Sequence, residues 1–198
     1  KFKEDCPLTG IGFKKFVNDE DAFTQGGYRM DKTENTIRYA EMLLIYAEAL
    51  NELTPGKSYT VERYNGETMT VQRDVNEMRS AMKPIRMRAG VPDFDDVIYA
   101  NQELFRTALK RERQIELVGE NCFRYYDLRR WKDALLEENQ PLMGCNINIS
   151  DDVTRVQEFY RPTVVASMPK VFTQRMYLWP FPDKEMKRNV NLTQNPGW

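Results

Sequence analysis

Residues 119–133 read GENCFRYYDLRRWKD. Four aromatic rings, three arginines, a lysine and two aspartates crowd into that span. Three readings compete for it: a catalytic cluster, a nucleic-acid surface, or the polar interior of a helical fold. The choice among them decides both the fold and the chemistry.

Working upstream, Glu112, Glu116 and Glu120 recur every four residues and make a carboxylate row on one helix face. Arg113 stands three residues before Glu116, Arg124 four after Glu120, and Asp127 three before Arg130. Such spacings permit ion pairs along a helix. A glycosidase needs an acid and a nucleophile or base flanking one bond, about 5–5.5 Å or 6.5–9.5 Å apart. Neighbours at i, i+4 have roughly that Cβ spacing, ~5–6 Å, but they stand side by side rather than across a substrate. Arginine neighbours lower a carboxyl pKa, whereas a general acid needs it raised. The row therefore reads as an Arg–Glu–Asp network joining helices, and no catalytic residue is assigned.

A nucleic-acid surface would stack bases on Phe123, Tyr125, Tyr126 and Trp131 while Arg124, Arg129, Arg130 and Lys132 meet phosphates. Against it, Leu128, Trp131 and Leu135 have core spacing. The 198 residues also set 29 Lys and Arg against 30 Asp and Glu, a net charge of −1, where a general nucleic-acid binder needs a basic excess.

The rest of the composition narrows the field. Forty-one per cent hydrophobic and 30% charged residues describe an ordinary soluble globular chain. No segment approaches the run of about 18 apolar residues of a membrane helix. The absence of histidine removes Ser-His-Asp and Cys-His nucleophiles and His-ligated metals. Cys6, Cys122 and Cys145 lack metal spacing and define no disulfide framework. The GKS at 56–58 lacks the preceding glycine and following helix of a phosphate loop. Asp151 and Asp152 are an isolated acidic pair, so neither a metal nor a cofactor is expected. The chain opens at Lys1 without an initiator Met, signal peptide or lipidation motif, which predicts a processed or truncated polypeptide.

Elsewhere, residues 1–33 read as irregular, with extended pieces. Residues 34–52 give the clearest helix, with Ile37, Ala40, Leu44 and Ala47 on one stripe widened by Leu43 and Leu50. Small Ala40 and Ala47 allow the close helix approach of a tetratricopeptide-type hairpin. Residues 54–71 predict a loop and a β-hairpin, with Asn65-Gly66 suited to a type I′ turn. From about Val71 the pattern is helical through Val75, Met78, Met82 and Ile85. Pro84 should kink that helix or start another, and Gly90 and Pro92 stop it. A third helix spans 101–120, with Leu104, Phe105, Ala108, Leu109, Glu112, Ile115 and Glu116 sharing one side. A break follows near 119–122, then a helix over about 123–138 with Tyr125, Leu128, Trp131 and Leu135 on one face. The remainder reads as irregular, and YLWPFP at 177–182 as largely extended. No βαβ alternation or dividing linker is visible, so a single mostly α domain over 1–198 is expected.

Six stretches now stand in order: IRYAEMLLIYAEALNE (37–52), IRMRAGVPDF (85–94), LKRERQIELVGEN (109–121), FRYYDLRRW (123–131), YLWPFPDKE (177–185) and NLTQNPGW (191–198). Together they closely resemble the C-terminal region of the SusD/RagB family of outer-membrane glycan-binding lipoproteins. One departure is local: Cys122 and Phe123 both intervene before Arg124, where family members commonly have one residue. The resemblance implies a mostly α fold of tetratricopeptide-like helical pairs with long irregular loops and a small hairpin. It implies a non-catalytic protein at the surface of the outer membrane, held there by an N-terminal lipid. Such a protein captures oligosaccharide or polysaccharide and delivers it to a SusC-like TonB-dependent transporter. A peptide-capture member, or a carboxylate-based glycoside hydrolase, are the alternatives. Family chains are much longer, so the N-terminal half is expected to be missing here.

On this reading Glu112, Arg113, Glu116, Arg124, Asp127 and Arg130 form a buried or half-buried polar network, and Arg124→Ala should destabilise the fold more than it harms binding. Sugars present flat C–H faces and hydroxyls, so recognition falls to loop aromatics beside polar groups. The candidates are Tyr59, Tyr64 and Asn65 on the hairpin, and Tyr160 with Arg161 in the irregular region. Trp179 and Trp198, inside family-like stretches, are assigned to packing.

Overall fold

A computed structural model of the chain describes residues 7–18, 20–21, 26–33, 35–149, 153–165 and 168–198. Cys6, Asp151 and Asp152 lie outside the described residues. The chain divides into a helical unit, Lys32–Arg124, and a second unit formed by Lys1–Asp31 with Tyr125–Trp198.

The helical unit opens with α1, Tyr39–Glu52. It starts five residues later than periodicity predicts. Arg38 is extended (φ −118°, ψ 146°), and its side chain reaches Glu116 and Glu120. Ile37, expected on the core stripe, is consequently exposed. Leu44, Ala47, Leu50 and Asn51 are buried.

Strands β1 (Ser58–Glu62) and β2 (Thr68–Gln72) pair antiparallel, with Glu62 opposite Thr68. The turn differs from type I′. Five residues link the strands; Gly66 N–H donates to Arg63 C=O at 2.9 Å, and Arg63 N–H to Glu67 C=O at 2.7 Å. Gly66 takes φ +81° while Asn65 stays out of the left-handed region. Instead, Asn65 Oδ1 accepts from Glu67 N–H, the self-bonding that suits asparagine to turns.

Helix α2 covers Val75–Arg88. Val71, expected at its start, belongs to β2, and Asp74 sets the boundary by capping the Asn76 and Glu77 N–H groups. Of the two outcomes expected at Pro84, a kink or a new helix, no new helix starts there. Pro84 sits exposed inside α2, where Ala81, Met82 and Ile85 around it are buried and carry the helix onward. Gly90 (φ +72°) then terminates the helix, with Val91 N–H returning to Arg86 C=O.

Short α3 (Asp96–Ala100), which the sequence did not signal, carries the fully buried Tyr99. Helix α4, Gln102–Glu116, begins at an Asn101 cap and buries Phe105, Leu109, Glu112, Arg113 and Glu116. Leu104 and Ile115, expected on that side, are about half exposed. The core joins Leu44, Ala47, Met78, Met82, Tyr99, Phe105 and Leu109, with α1 packed on both α2 and α4. The predicted break follows: Gly119, Asn121 and Cys122 all have positive φ.

Helix α5 is Phe123–Arg130 and α6 is Ala134–Glu137. One continuous helix was expected here. Lys132 adopts φ +64°, Asp133 N–H closes on Leu128 C=O, and Tyr177 Oη bridges the gap by donating to Lys132 C=O and accepting from Leu135 N–H. Of the face predicted for a continuous helix, only Leu128 is buried; it packs with Ala134 and Phe172.

In this second unit β3 (Met143–Gly144) pairs antiparallel with a later strand, Thr163–Val164, and α7 (Val156–Phe159) lies between them. Thr163–Val164 is β4. Cys145 N–H also donates to Thr9 C=O at 2.7 Å. A Cβ on Gly144 would come within 2.7 Å of the Thr9 backbone, so only glycine admits that approach. Leu178 is extended, as YLWPFP predicts, but Pro182 then leads into an unanticipated α8, Asp183–Arg188. Acidic Asp183 and Glu185 open α8 and basic Lys187 and Arg188 close it, matching the helix dipole.

Candidate functional site

The carboxylate row lies at the C-terminal end of α4 and just beyond. Glu112, Glu116 and Glu120 are each less than a tenth exposed. Burying a carboxylate requires paired, hydrogen-bonded company. Glu112 Oε2 accepts from Arg86 Nη1 at 2.6 Å. Glu116 accepts from Arg38 Nη2 at 2.8 Å and from Arg88. Glu120 Oε2 accepts from Arg38 Nε at 2.7 Å. Arg38 Nη2 also reaches Glu116 C=O at 3.1 Å. Burial alone would lower the Arg38 pKa, but its bonds to Glu120 and Glu116 outweigh that and raise it.

These partners come from the start of α1 and the last turn of α2. The local spacing around Glu112–Arg130 did not point to them; IRYAE and IRMRAG contained them only as motif letters. Arg113 is buried and Arg124 half-buried in the same unit. In the second unit, buried Asp127 accepts from Arg130 Nε at 2.9 Å.

Could these acids perform hydrolysis? An open cleft of about 520 Å3 does lie beside α1 and the end of α2, lined by Ile37, Arg38, Tyr39, Leu43, Pro84 and Arg88 among others. Among the described residues, no acidic side chain lines it. Glu112, Glu116 and Glu120 are each bonded to a guanidinium. Among the described residues, no three His, Cys, Asp or Glu side chains gather to hold a metal ion. None of the helices there is long and apolar enough to cross a membrane.

The predicted recognition residues have a different environment. Tyr64 stands at the hairpin turn completely exposed, next to Asn65. Tyr59 is half-buried opposite Val71, its hydroxyl on Thr54 Oγ1 at 3.0 Å and Lys57 Nζ 4.9 Å from its ring centroid. The Thr54 bond lowers the Tyr59 pKa. Tyr160 is 65% exposed and packs edge-on against Phe159 at 5.2 Å; Arg161 beside it is also exposed. The hairpin group belongs to the helical unit, and Tyr160 with Arg161 to the other.

Two tryptophans expected to pack the fold behave differently. Trp198 is pinned, its Nε1 shared between Arg175 and Leu178 carbonyls at 3.1 Å, with the Arg175 guanidinium 4.5 Å from the ring centroid. Trp179 is 75% exposed. The motif-level reading could not show this, because proline-flanked extended chain says nothing about which side chain faces solvent.

Comparison with known proteins bears on the whole chain. The profile described as "SusD family" matches residues 1–198. The SusD-like protein P2 of Formosa agariphila is 31% identical over 163 residues, 82% of this chain and 25% of that protein. The chain thus spans about a quarter of the length of this curated relative. The crystal structure of a SusD-like protein from Bacteroides fragilis superposes with a TM-score of 0.60 at 30% identity, over 84% of this chain and 26% of that one. The solved protein BT4246 gives a TM-score of 0.70 at 27% identity, over all of this chain and 31% of its own.

Proposed function

The chain belongs to the SusD family, and from that premise we propose that it is part of a non-catalytic cell-surface protein that captures oligosaccharide or polysaccharide. On this reading it sits at the outer membrane and passes the glycan to a TonB-dependent transporter. Membrane attachment, through a lipid on the full-length protein, comes with the same reading.

The observation that carries the proposal is the pairing of the acids. Glu112, Glu116 and Glu120 each accept from an arginine at the end of α4 or just past it. A glycosidase needs one carboxylic acid held protonated and a second carboxylate facing it across a sugar. Here Glu112 and Glu116 stand side by side on α4, each bonded to an arginine, and do not face one another across a cleft. That arrangement supports cohesion and leaves recognition to exposed rings, of which Tyr64 on the hairpin is the most prominent.

A glycan array run beside a product assay tests this. Saccharide binding without release of shorter products is the expected result. Selective binding of peptides would reassign the protein to peptide capture. Turnover that disappears in Glu112→Gln or Glu116→Gln would reassign it to hydrolysis.

A further inference from the structure

We propose that Trp179, together with Tyr126, forms a sugar-stacking platform in the second unit that takes the C–H face of a neutral hexose or pentose unit. The proposal rests on the glycan-binding reading above and adds a site to it.

Exposure of a large ring is only a beginning; the platform follows from how the ring is fixed. Trp179 Nε1 donates to Tyr125 Oη at 2.9 Å, and Trp179 C=O accepts from Asn195 Nδ2 at 2.6 Å. Two residues on, the Gln194 side chain bonds both the N–H and the C=O of Phe181, at 2.8 and 3.0 Å. The segment that carries the indole is therefore clamped on both sides.

Tyr125, the other anchor, is itself held. The Arg129 guanidinium lies 3.4 Å from its ring centroid, and Arg129 Nη1 returns to Tyr125 C=O at 3.2 Å. Arg129 also lies 5.2 Å from the Phe172 ring in this unit's core. Tyr126 packs edge-on to Tyr125 at 5.2 Å and 88°, and is 60% exposed. Two exposed rings thus hang from one immobilised ring.

This arrangement constrains the ligand. An indole has one donor, and here it is committed to Tyr125, so what remains to offer is a π surface. Apolar hydrogens of a pyranose match such a surface. The ring is already ordered in the folded protein, so binding costs little further side-chain freedom. The polar groups bonded to this segment, the Tyr125 hydroxyl and the Gln194 and Asn195 amides, are uncharged, and the Arg129 guanidinium beside Tyr125 is engaged by that residue's ring and carbonyl, which favours a neutral sugar over a uronate or phosphate.

The test titrates the wild type and the variants Trp179→Phe, Trp179→Leu and Tyr64→Ala with neutral hexasaccharides of glucose, mannose and xylose. Melting temperature and sedimentation mass are recorded for each. Trp179→Leu should weaken saccharide binding by about tenfold or more, while Trp179→Phe, which keeps an aromatic face, stays within about threefold. Comparing Phe with Leu at matched melting temperature removes any contribution from folding. Unchanged affinity in Trp179→Leu, with loss in Tyr64→Ala, overturns this proposal and leaves the glycan reading intact. A wild type that binds none of these saccharides overturns the neutral-sugar platform; the glycan array decides the broader reading separately. A change of mass in Trp179→Leu with unchanged affinity would assign the ring to a protein interface, also against the proposal.

Discussion

Arg38 Nε donates to Glu120 Oε2 at 2.7 Å, although 82 residues separate the two in the chain. The same guanidinium holds Glu116, so one side chain at the start of α1 ties down the acidic end of α4. The side chain of Arg38 is 18% exposed, those of its partners 9% and 6%. Removing one member of such a pair strands a buried charge. Arg38→Ala should cost about 3–5 kcal/mol in chemical denaturation. Arg38→Lys, unable to serve both carboxylates with a planar fork, should cost less but still measurably.

A second tie is centred on an uncharged amide. Asn51 is 1% exposed, accepts from Arg73 Nε and Nη2 at 3.2 and 3.0 Å, and donates to Gln102 C=O at 3.1 Å. Gln102 Nε2 also donates to Asn51 C=O. Asn51→Leu fills similar space yet leaves the Arg73 and Gln102 groups short of partners. A loss of about 2–3 kcal/mol is expected in urea unfolding.

The Glu52–Arg106 pair gives a pH signature. Glu52 Oε1 and Oε2 accept from Arg106 Nε and Nη2, each at 2.7 Å, and this pairing lowers the Glu52 pKa against the upward push of burial. A folded-state pKa below the unfolded value, near 4.3, stabilises the fold above that value. The contribution fades as pH falls through the folded pKa. With the Glu52 side chain 47% exposed, Glu52→Gln should cost under about 1 kcal/mol at pH 7. Melting curves of variant and wild type should converge well below pH 4.3.

Gly144 is limited by space. Since an added Cβ would meet the Thr9 backbone at 2.7 Å, Gly144→Ala must push that backbone apart. A loss of about 1–3 kcal/mol is expected, with faster amide exchange at the Cys145 N–H that bonds Thr9.

What the sequence made legible follows physical lines. Helix α4 was readable because Phe105, Leu109 and Glu112 repeat at helical spacing behind an Asn101 cap. The start of α2 was misplaced because Val71 continues the helical spacing while pairing with Tyr59 in the hairpin. The split between α5 and α6 turns on Lys132 at positive φ, supported by Tyr177 from far along the chain. Lysine carries no local signal for that conformation. Helix α8 has acids first and bases last but no apolar stripe, so periodicity missed it. For the charged row, spacing places Glu112, Glu116 and Glu120 on a common face. It does not reveal that Arg38 and Arg86 meet them, because those contacts span 26 to 82 residues. Loop position alone marks the aromatic candidates in the sequence, and exposure separates fully open Tyr64 from half-buried Tyr59 only once the hairpin is folded.

The central claim divides labour between buried acids that hold helices together and exposed rings that meet ligand. The most direct measurement sets melting temperature and saccharide affinity side by side for Glu116→Gln and Tyr64→Ala. Glu116→Gln should lower the melting temperature by several degrees and leave affinity nearly unchanged in the folded fraction, while Tyr64→Ala should melt like the wild type and bind more weakly. The reverse outcome, normal melting with lost binding or turnover in Glu116→Gln, would contradict the account.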